Sequence, residues 1–342
     1  LAHLTSIEAA YMVRVGINGF GRIGRMFFRA AREHDNIDVV AINDLTDTET
    51  LAALLKRDSV HEDFDGTVQA TEHGLRIDDD SIPVYQEKSP EQIPWGDESP
   101  SVVVESTGLF RTQEKASGHL GESVQNVVIS APPKGEKPVK TIVMGVNEHE
   151  YDDEQVVSNA SCTTNSLAPL VKVLEDNYGV EHGQMTTVHA YTGSQNLIDG
   201  PNSKDLRRAR SAAENIVPTS TGAAQAVTEV LPSLQGRLDG MAMRVPTPDG
   251  SITDLTCELR EEVTAEEVND LFKAVSDTHM DGVLAVTEEP LVSRDIIGDP
   301  HSVVVDAEKT SVVDGTSVKL LGWYDNELGY SHRMVDLIEH IR

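Results

Sequence analysis

The fold is decided by residues 13–24, which read VRVGINGFGRIG. A short apolar strand precedes a GxGxxG turn, and an apolar-rich helix follows it. In this arrangement Gly19 permits the tight turn, Gly21 lets the backbone approach a pyrophosphate, and Gly24 allows the helix to pack closely on the strand. The helix N-terminus supplies N–H donors to the anion. The stretch therefore predicts an N-terminal Rossmann dinucleotide-binding domain with an open α/β sheet.

A carboxylate stands where the ribose of a bound dinucleotide is expected. A second predicted strand, residues 37–43, ends at Asp44, about twenty positions beyond Gly24. A carboxylate at this distance hydrogen-bonds the adenosine ribose and repels the extra 2′-phosphate of NADP. We therefore expect NAD to be the cofactor. Two further apolar runs, residues 101–108 and 126–132, are predicted to be buried parallel strands of the same sheet.

Length and cysteine content limit the class of protein. A chain of 342 residues predicts about two domains. Its two cysteines lie far apart and have neither disulfide-framework nor metal-ligand spacing, so we predict no metal site and a reducing, cytoplasmic location. No stretch has the length and apolarity of a membrane span. Residues 1–11 lack the pattern of a secretory signal, and we expect them to be an extension ahead of Met12.

The charge is strongly negative and spread along the whole chain. The formal net charge is −29, from 57 acidic and 28 basic residues. Such a surface repels nucleic acid and anionic membranes, so neither is expected as a partner. Adaptation to high salt, which screens this self-repulsion, is the favoured interpretation. An ordinary acidic cytosolic protein is the alternative.

Cys162 is a candidate nucleophile. It lies in residues 158–165, which read SNASCTTN, just before apolar residues at helical spacing. The sulfur is therefore expected at a helix N-terminus, where free N–H groups and the helix dipole favour a thiolate. The alternative is an inert buried cysteine. Cys257 lies in a strand-like stretch, residues 252–259, with no constellation of candidate catalytic residues around it, and is interpreted as such a residue.

The second half predicts a different kind of sheet. Residues 140–146 are predicted to be a strand ahead of a domain boundary near residues 155–160. Beyond the boundary, strand patterns occur at residues 184–191, 238–245, 252–259 and 318–324. Thr264 and Glu267 have the spacing of a capping box at the start of a helix. This half is therefore predicted to be an α+β domain with a mostly antiparallel sheet and helices on one face.

Histidine and arginine residues of this half could supply a base and anion-binding sites. His189 stands at the end of a predicted strand, although a half-exposed structural histidine is the common alternative. Residues 204–210 form the densest basic patch of the chain, and within it Arg207 and Arg210 favour an anionic ligand more than Arg208 does. Arg244 interrupts an apolar strand, and a buried cation needs a partner such as a phosphate.

Together these residues closely resemble the phosphorylating glyceraldehyde-3-phosphate dehydrogenases, from Val13 to Ile341. Six stretches have the signatures of that family in order: residues 16–25, 161–165, 189–192, 221–224, 244–247 and 323–327. The resemblance implies an NAD-binding domain over residues 12–160, a catalytic domain over 161–325, and a C-terminal helix over 326–342 that packs back on the first domain. It also implies a homotetramer and a role in glycolysis or gluconeogenesis.

The resemblance assigns roles to individual residues. Cys162 is implied as the nucleophile and His189 as its base. The substrate's C3 phosphate is implied to bind Thr192 and Arg244, and inorganic phosphate to bind Ser161, Thr163, Thr221, Gly222 and Arg207. The implied cofactor contacts are Gly19, Gly21, Arg22, Ile23, Gly24, Asp44, Lys88, Ser130 and Asn326. Leu45, Gly200 and Pro201 resemble the NAD-using branch of the family.

The reaction implied is thiolate attack on the aldehyde of glyceraldehyde 3-phosphate, hydride transfer to NAD, and cleavage of the resulting thioester by phosphate to give 1,3-bisphosphoglycerate. Erythrose-4-phosphate dehydrogenase, which would omit the phosphate step, is the main alternative. Aspartate-semialdehyde dehydrogenase is a more distant alternative. It shares the architecture and a catalytic cysteine, but it is not expected to carry the 161–165 run together with Thr192 and Arg244. An RNA-binding role is opposed by the net charge.

Overall fold

The structure is a computed structural model that describes residues 12–136 and 139–342. The expectation for residues 1–11 lies outside the described residues. The chain forms two compact units. The N-terminal unit comprises the described residues of Leu1–Ile142 together with Glu148–Ala160 and Ser331–Arg342. The C-terminal unit comprises Val143–Asn147 and Ser161–Tyr330.

The N-terminal unit is built on a nine-stranded sheet. Its strands are β1 (Val13–Asn18), β2 (Ile37–Asn43), β3 (Val68–Ala70), β4 (Gly74–Ile77), β5 (Asp80–Tyr85), β6 (Val102–Glu105), β7 (Asn126–Ile129), β8 (Lys140–Thr141) and β9 (Val156–Ser158). Their order is β3-β4-β5-β2-β1-β6-β7-β9-β8. From β5 to β8 every neighbouring pair is parallel, and only β3–β4 and β4–β5 are antiparallel. The carboxyl ends of β1, β2 and β6 therefore meet at one edge of the sheet.

Near-continuous apolar runs explain these central strands. Val15 and Ile17 of β1, and Val103 and Val104 of β6, are fully buried, as expected for parallel strands covered on both faces. The α-helices assigned to this unit are α1 (Arg22–Ala31), α2 (Thr48–Lys56) and α3 (Gln113–Ala116). Phe27 of α1 is also fully buried, so the helix contributes an apolar face to the core.

The C-terminal unit contains an eight-stranded sheet. Its strands are β10 (Val180–Ala190), β11 (Val217–Ser220), β12 (Leu238–Val245), β13 (Ser251–Leu259), β14 (Leu284–Thr287), β15 (Val303–Asp306), β16 (Ser311–Val313) and β17 (Ser317–Tyr324). Five strand pairs are antiparallel, whereas β10–β12 and β14–β15 are parallel. The predicted fold class, a Rossmann domain and an α+β domain with a mostly antiparallel sheet, is confirmed.

Helix ends in the C-terminal unit follow local sequence signals. The helices are α4 (Cys162–Tyr178), α5 (Ala223–Val230) and α6 (Ala265–Ser276). Ser161 caps α4 by accepting a hydrogen bond from the Thr164 N–H, and the predicted capping box of Thr264 and Glu267 starts α6. The last helix, α7 (Leu328–His340), begins in the C-terminal unit, and its residues from Ser331 onward belong to the N-terminal unit.

The strand predicted over residues 140–146 was too long. Only Lys140–Thr141 is a strand. Beyond it the chain turns, because the Asn147 side chain accepts a hydrogen bond from the Val143 N–H and Gly145 adopts a φ of +78°, a conformation that suits glycine. The apolar residues of this segment are buried in a turn rather than in a ladder. Among the described residues, no helix combines the length and apolarity needed to cross a bilayer.

Candidate functional site

The glycine-rich turn forms an anion-binding end of α1. Gly19 has a φ of +92°, which favours glycine. A Cβ on Gly24 would lie 2.1 Å from the Gly19 carbonyl oxygen, so no side chain fits there. A Cβ on Gly21, which caps the helix, would meet nothing within 4 Å. The backbone at Gly21 is therefore open to a ligand at the N-terminal end of α1, where the helix dipole favours an anion.

Asp44 is held beside this turn. Its carboxylate accepts hydrogen bonds from the Phe20 N–H at 2.7 Å and from the Thr46 N–H at 2.9 Å. The first bond joins the end of β2 to the glycine-rich turn. The carboxylate keeps further lone pairs with which to accept hydrogen bonds from ribose hydroxyls.

A cavity of about 310 Å³ opens at these strand ends. It is lined by Asn18, Gly19, Gly21, Asn43, Asp44, Leu45, Glu87, Lys88, Ser106, Thr107, Leu109 and Phe110. Of the predicted cofactor contacts of this unit, Gly19, Gly21, Asp44 and Lys88 are in the lining, whereas Arg22, Ile23, Gly24 and Ser130 are not. The Arg22 side chain pairs with Asp58, and the Ser130 N–H bonds the Glu105 carbonyl. Open backbone at Gly21 and a carboxylate at Asp44 fit a dinucleotide.

A buried polar network that the sequence analysis missed lies under this cavity. Asn43 donates to the Asn18 side-chain oxygen at 2.8 Å, and Asn18 donates to the Glu105 carboxylate at 2.6 Å. Trp95 donates to Nδ1 of His119 at 3.2 Å, so the Nε2–H of His119 faces Glu105 at 3.1 Å. These bonds tie together the ends of β1, β2 and β6. In the sequence, the only sign of this network is the polar residue that ends each of these three apolar strands: Asn18, Asn43 and Glu105.

In the C-terminal unit the candidate nucleophile and base are adjacent. Cys162 is the first residue of α4, and His189 is the penultimate residue of β10. The Cys162 Sγ lies 3.5 Å from the His189 Nε2. His189 is 3% exposed, while Cys162 keeps part of its surface accessible. This distance allows a proton to pass from the thiol to the imidazole.

Burial shifts the pKa values of the thiol and of the imidazole in opposite directions, each toward the neutral form. Burial raises the pKa of the Cys162 thiol to about 11, against smaller lowering effects of Arg244 and of hydrogen bonds from Thr163. Burial, reinforced by Arg244, lowers the pKa of His189 to about 3. Desolvation therefore opposes the predicted thiolate, while Arg244 and the hydrogen bonds at the helix start favour it.

Strand register explains why Arg244 contacts His189. The two residues are direct partners across the parallel pair β10–β12. Arg244 Nη1 lies 2.8 Å from the His189 Nδ1 and donates to the Ala190 carbonyl at 2.9 Å. The Arg244 Nε is buried without a hydrogen-bond partner. Burial lowers the Arg244 pKa, so this guanidinium lacks the anion that a buried cation requires.

Tyr324 packs against the imidazole of His189. The sequence analysis assigned it no role in the site. Its ring contacts the His189 ring edge to face, with centroids 6.0 Å apart. Its hydroxyl pairs with Thr163 Oγ1 at 3.0 Å and with Thr187 Oγ1 at 2.8 Å. Tyr324 is 1% exposed, and burial raises its pKa. The tyrosine therefore joins α4, β10 and β17 directly under the reacting pair.

The predicted phosphate ligands have different surroundings. Ser161 uses its hydroxyl to cap α4, and the Thr163 hydroxyl is engaged with Tyr324. Thr192 pairs with Ser194 at 2.8 Å. The Arg207 guanidinium donates to the Pro218 carbonyl on β11. Thr221 and Gly222 precede α5, with Gly222 as its N-cap, and the Thr221 hydroxyl accepts from the Ala223 N–H at 3.2 Å. The next N–H groups of the first turn have no acceptor within the helix.

Asn326 is held by a short chain of hydrogen bonds. Ser251 donates to the Asn326 side-chain oxygen at 2.5 Å and accepts from the Ala190 N–H at 3.0 Å. The Asn326 N–H donates to Asp249 at 3.2 Å. In this arrangement the Asn326 amide oxygen accepts from Ser251, and its amide nitrogen can donate to a ligand.

Fold and site together define a class of protein. The N-terminal unit has a dinucleotide cavity, and the C-terminal unit has a thiol beside an imidazole and an unpaired guanidinium. A nucleotide-dependent dehydrogenase that works through a covalent cysteine intermediate contains these parts.

Comparison with known proteins identifies the family. The family "Glyceraldehyde 3-phosphate dehydrogenase, NAD binding domain" matches residues 13–113, and "Glyceraldehyde 3-phosphate dehydrogenase, C-terminal domain" matches residues 161–326. The chain is 53% identical to the glyceraldehyde-3-phosphate dehydrogenase of Haloarcula vallismortis and 55% identical to that of Geobacillus stearothermophilus. Each comparison covers 96% of this chain and 98% of the relative.

The chain belongs to the glyceraldehyde-3-phosphate dehydrogenase family. The predicted enzyme class and the predicted NAD cofactor are confirmed by these matches. The roles of individual residues stay predictions.

Proposed function

We propose that the protein oxidises D-glyceraldehyde 3-phosphate to 1,3-bisphosphoglycerate, with inorganic phosphate as second substrate and NAD as hydride acceptor. The observation that carries the proposal is the cluster in which the Cys162 sulfur lies 3.5 Å from His189, and His189 lies 2.8 Å from Arg244. A thiol, a base and an anion site in one cluster suit a phosphorylated aldehyde.

The side chains have distinct roles in this proposal. His189 Nε2 takes the thiol proton as Cys162 attacks the aldehyde carbon, which gives a thiohemiacetal. The Cys162 N–H at the start of α4 and the protonated imidazole stabilise the oxyanion. NAD, when bound, would supply the hydride acceptor, and loss of hydride from the thiohemiacetal carbon would leave a thioester on Cys162. Phosphate then attacks that thioester and releases the acyl phosphate, and the thiolate regains its proton.

The anion sites divide between the two phosphate groups. We assign the substrate's own phosphate to Arg244 and Thr192, because Arg244 has an unpaired buried Nε. We assign inorganic phosphate to Arg207, Thr221 and Gly222 at the start of α5, and to Ser161 and Thr163 at the start of α4. Since the hydroxyls of Ser161 and Thr163 are engaged, their share would come from backbone N–H groups.

The cofactor contacts follow the N-terminal cavity. The turn at Gly19, Gly21 and Gly24, with Arg22 and Ile23 at the helix start, would hold the pyrophosphate through backbone N–H groups. Asp44 would bind the ribose. Lys88 lines the same cavity. Ser130 and Asn326 are assigned to the cofactor from the family resemblance, and Ser251 supports the required orientation of the Asn326 amide.

Initial rates test this function against its main alternative, erythrose-4-phosphate dehydrogenase. NADH formation is measured with glyceraldehyde 3-phosphate and with erythrose 4-phosphate, each with and without phosphate. We expect the three-carbon substrate to be preferred and its sustained turnover to require phosphate. NADH production that is indifferent to phosphate would contradict the phosphorylating assignment.

We also propose that the protein is adapted to high salt and works in the cytoplasm. A net charge of −29 supports the salt adaptation, and one relative comes from Haloarcula vallismortis. The free thiols of Cys162 and Cys257 support a reducing compartment. Thermal unfolding midpoints that rise steeply up to molar KCl are expected, and a midpoint insensitive to salt would argue against the adaptation.

We further propose that the protein is a homotetramer and that it acts in glycolysis or gluconeogenesis. The segment 192–216 supports self-association, because it exposes Leu197, Ile198 and Leu206 by 76%, 75% and 84%. Sedimentation equilibrium is expected to give four copies, and a monomer at micromolar concentration would exclude the tetramer.

A further inference from the structure

The Glu105 carboxylate, at the end of β6, accepts four hydrogen bonds in the buried network under the N-terminal cavity. Its Oε2 accepts from the Asn18 amide at 2.6 Å and from the His119 Nε2–H at 3.1 Å. Its Oε1 accepts from the Thr107 N–H at 2.9 Å and from the Thr107 hydroxyl. The side chain is fully buried. A carboxylate has about four lone-pair sites, so these donors use all of them.

Trp95 determines which ring nitrogen of His119 carries the proton. The indole N–H can only donate, and it lies 3.2 Å from Nδ1, so Nδ1 accepts and the ring carries its hydrogen on Nε2. The Asn18 amide also lies 3.4 Å from Nε2, but its shorter bond goes to Glu105 at 2.6 Å. The imidazole contacts the rings of Trp95 and Phe110, with centroids 6.0 Å and 6.4 Å away. His119 is therefore fixed in place as a donor to the carboxylate.

The residues held by this carboxylate adjoin the glycine-rich turn. Asn18 directly precedes Gly19, and the Thr107 methyl group lies 2.9 Å from the position of a Cβ on Gly19. Ser106 donates from its hydroxyl to the Gly19 carbonyl at 2.6 Å and from its N–H to the Asn18 carbonyl at 2.8 Å. These four residues line the cavity, whereas the carboxylate and His119 are outside its lining. The end of β6 therefore clamps the turn from the side opposite the ligand.

We propose that Glu105 and His119 are positioning residues for the cofactor. The carboxylate, secured by the imidazole, holds Asn18 and Thr107 so that the glycine-rich turn keeps the conformation that receives a pyrophosphate. Neither residue contacts the cofactor itself. This inference rests on the NAD-binding role of the N-terminal cavity and on the proposed assignment of the pyrophosphate to the turn.

The hydrogen-bonding pattern requires an acceptor-only group at position 105. An amide there would set its own N–H against the donors on one side, whereas a carboxylate accepts from all of them. When His119 no longer donates, a lone pair of Oε2 stays buried without a partner, and only the bond from Asn18 holds that oxygen. The turn would then have more conformations in the free protein, and ordering it would cost binding free energy.

The first test compares His119→Asn with His119→Gln, which keep different halves of the hydrogen bonding of the imidazole. The amide nitrogen of the introduced glutamine can reach the position of Nε2 and donate to Glu105. The amide oxygen of the introduced asparagine can reach that of Nδ1 and accept from Trp95. Isothermal titration is expected to give a Kd for NAD at least about tenfold above wild type in His119→Asn, and within about threefold of it in His119→Gln. Equal affinities in the two variants would overturn the proposal.

Stability separates positioning from a merely structural role. Each variant loses one bond of the buried network, so both should unfold at lower urea concentrations than wild type, by similar amounts. An NAD affinity that follows stability in both variants would show that His119 is only structural. ADP-ribose, which has the pyrophosphate but no nicotinamide, should lose affinity in His119→Asn by the same factor as NAD. A loss confined to NAD would overturn the link to the turn.

Hydrogen–deuterium exchange on the wild-type protein tests the network without a variant. Coupling between two sites is reciprocal, so a ligand whose binding depends on the network must also stabilise it. Bound ADP-ribose is expected to slow exchange in residues 113–120 more than in residues 68–77, on β3 and β4 at the far edge of the sheet. Equal slowing in both segments would overturn the proposal. Phosphate-dependent NADH formation would still stand in that case, so failure of the positioning role and failure of the proposed function are distinguishable.

Discussion

The candidate sites of the two units differ in whether backbone or side chains form them. The N-terminal cavity is shaped chiefly by backbone. Gly19 forms the turn, and Gly21 and Gly24 have no Cβ atom that would cover the backbone or clash with it. The C-terminal cluster is made of side chains that converge from α4, β10, β12 and β17. A backbone site depends on a local stretch of sequence, whereas a side-chain site depends on strand register. We therefore expect the cavity to bind its ligand even when a reactive side chain of the cluster is replaced.

Cys162→Ser is expected to have the largest effect, because it removes the nucleophile of the C-terminal cluster. Turnover should fall by at least about 10³-fold, because a serine hydroxyl is a far weaker nucleophile than a thiol. NAD affinity, measured by isothermal titration, should stay within about twofold, since the cavity at Gly21 is made by the other unit.

Cys257→Ser is the matched control for that variant. Cys257 is a buried thiol of β13 whose pKa is raised to about 12 by burial. Its replacement should leave turnover per folded enzyme intact. Retained turnover in Cys162→Ser, or equal losses in both variants, would remove Cys162 as the nucleophile.

Asp44→Ala tests the N-terminal cavity, where the carboxylate is expected to select the cofactor. Loss of the carboxylate should raise kcat/KM with NADP relative to NAD by about tenfold, a change of about 1.4 kcal/mol, because the repulsion of the 2′-phosphate disappears. The rate of Cys162 alkylation without cofactor should not change.

Asp47→Ala is its control, because the Asp47 carboxylate caps α2 by accepting from the Thr50 N–H. This variant should lose some stability but keep its cofactor preference. An Asp44→Ala enzyme with the wild-type NAD to NADP ratio would show that another group selects the cofactor.

Tyr324→Phe is expected to affect stability rather than cofactor selection or nucleophilic attack. Removing the hydroxyl leaves Thr163 Oγ1 and Thr187 Oγ1 without their shared partner, so the free energy of unfolding should fall by about 1–3 kcal/mol. Denaturant unfolding measures it. Tyr178→Phe, which loses only a long bond to the Glu267 carbonyl at 3.5 Å, should change stability much less. Equal losses would mean that the Tyr324 network contributes no specific stability.

Local motifs were predictable from sequence, and contacts between strands were not. The GxGxxG turn, the end of β2 at Asp44 and the capping box at Thr264 each depend on a few neighbouring residues, and the structure has them where the patterns indicate. The contact of Arg244 with His189 depends on the parallel register of β10 and β12. No periodicity within either strand specifies that register.

The ionisation of Cys162 could not be predicted from its helix position. A helix start favours a thiolate, yet burial raises the pKa of the thiol to about 11. How much solvent a sulfur loses depends on side chains far away in sequence, here including His189, whose Nε2 lies 3.5 Å from the sulfur. Propensity and spacing contain no information on that burial.

The most direct test of the account is mass spectrometry of the enzyme after rapid mixing with glyceraldehyde 3-phosphate and NAD in the absence of phosphate. After an acid quench and digestion, the peptide containing Cys162 is expected to carry a 3-phosphoglyceroyl thioester, which should disappear when phosphate is added before the quench. Absence of the adduct, its location on another residue, or an adduct that persists with phosphate would contradict the account.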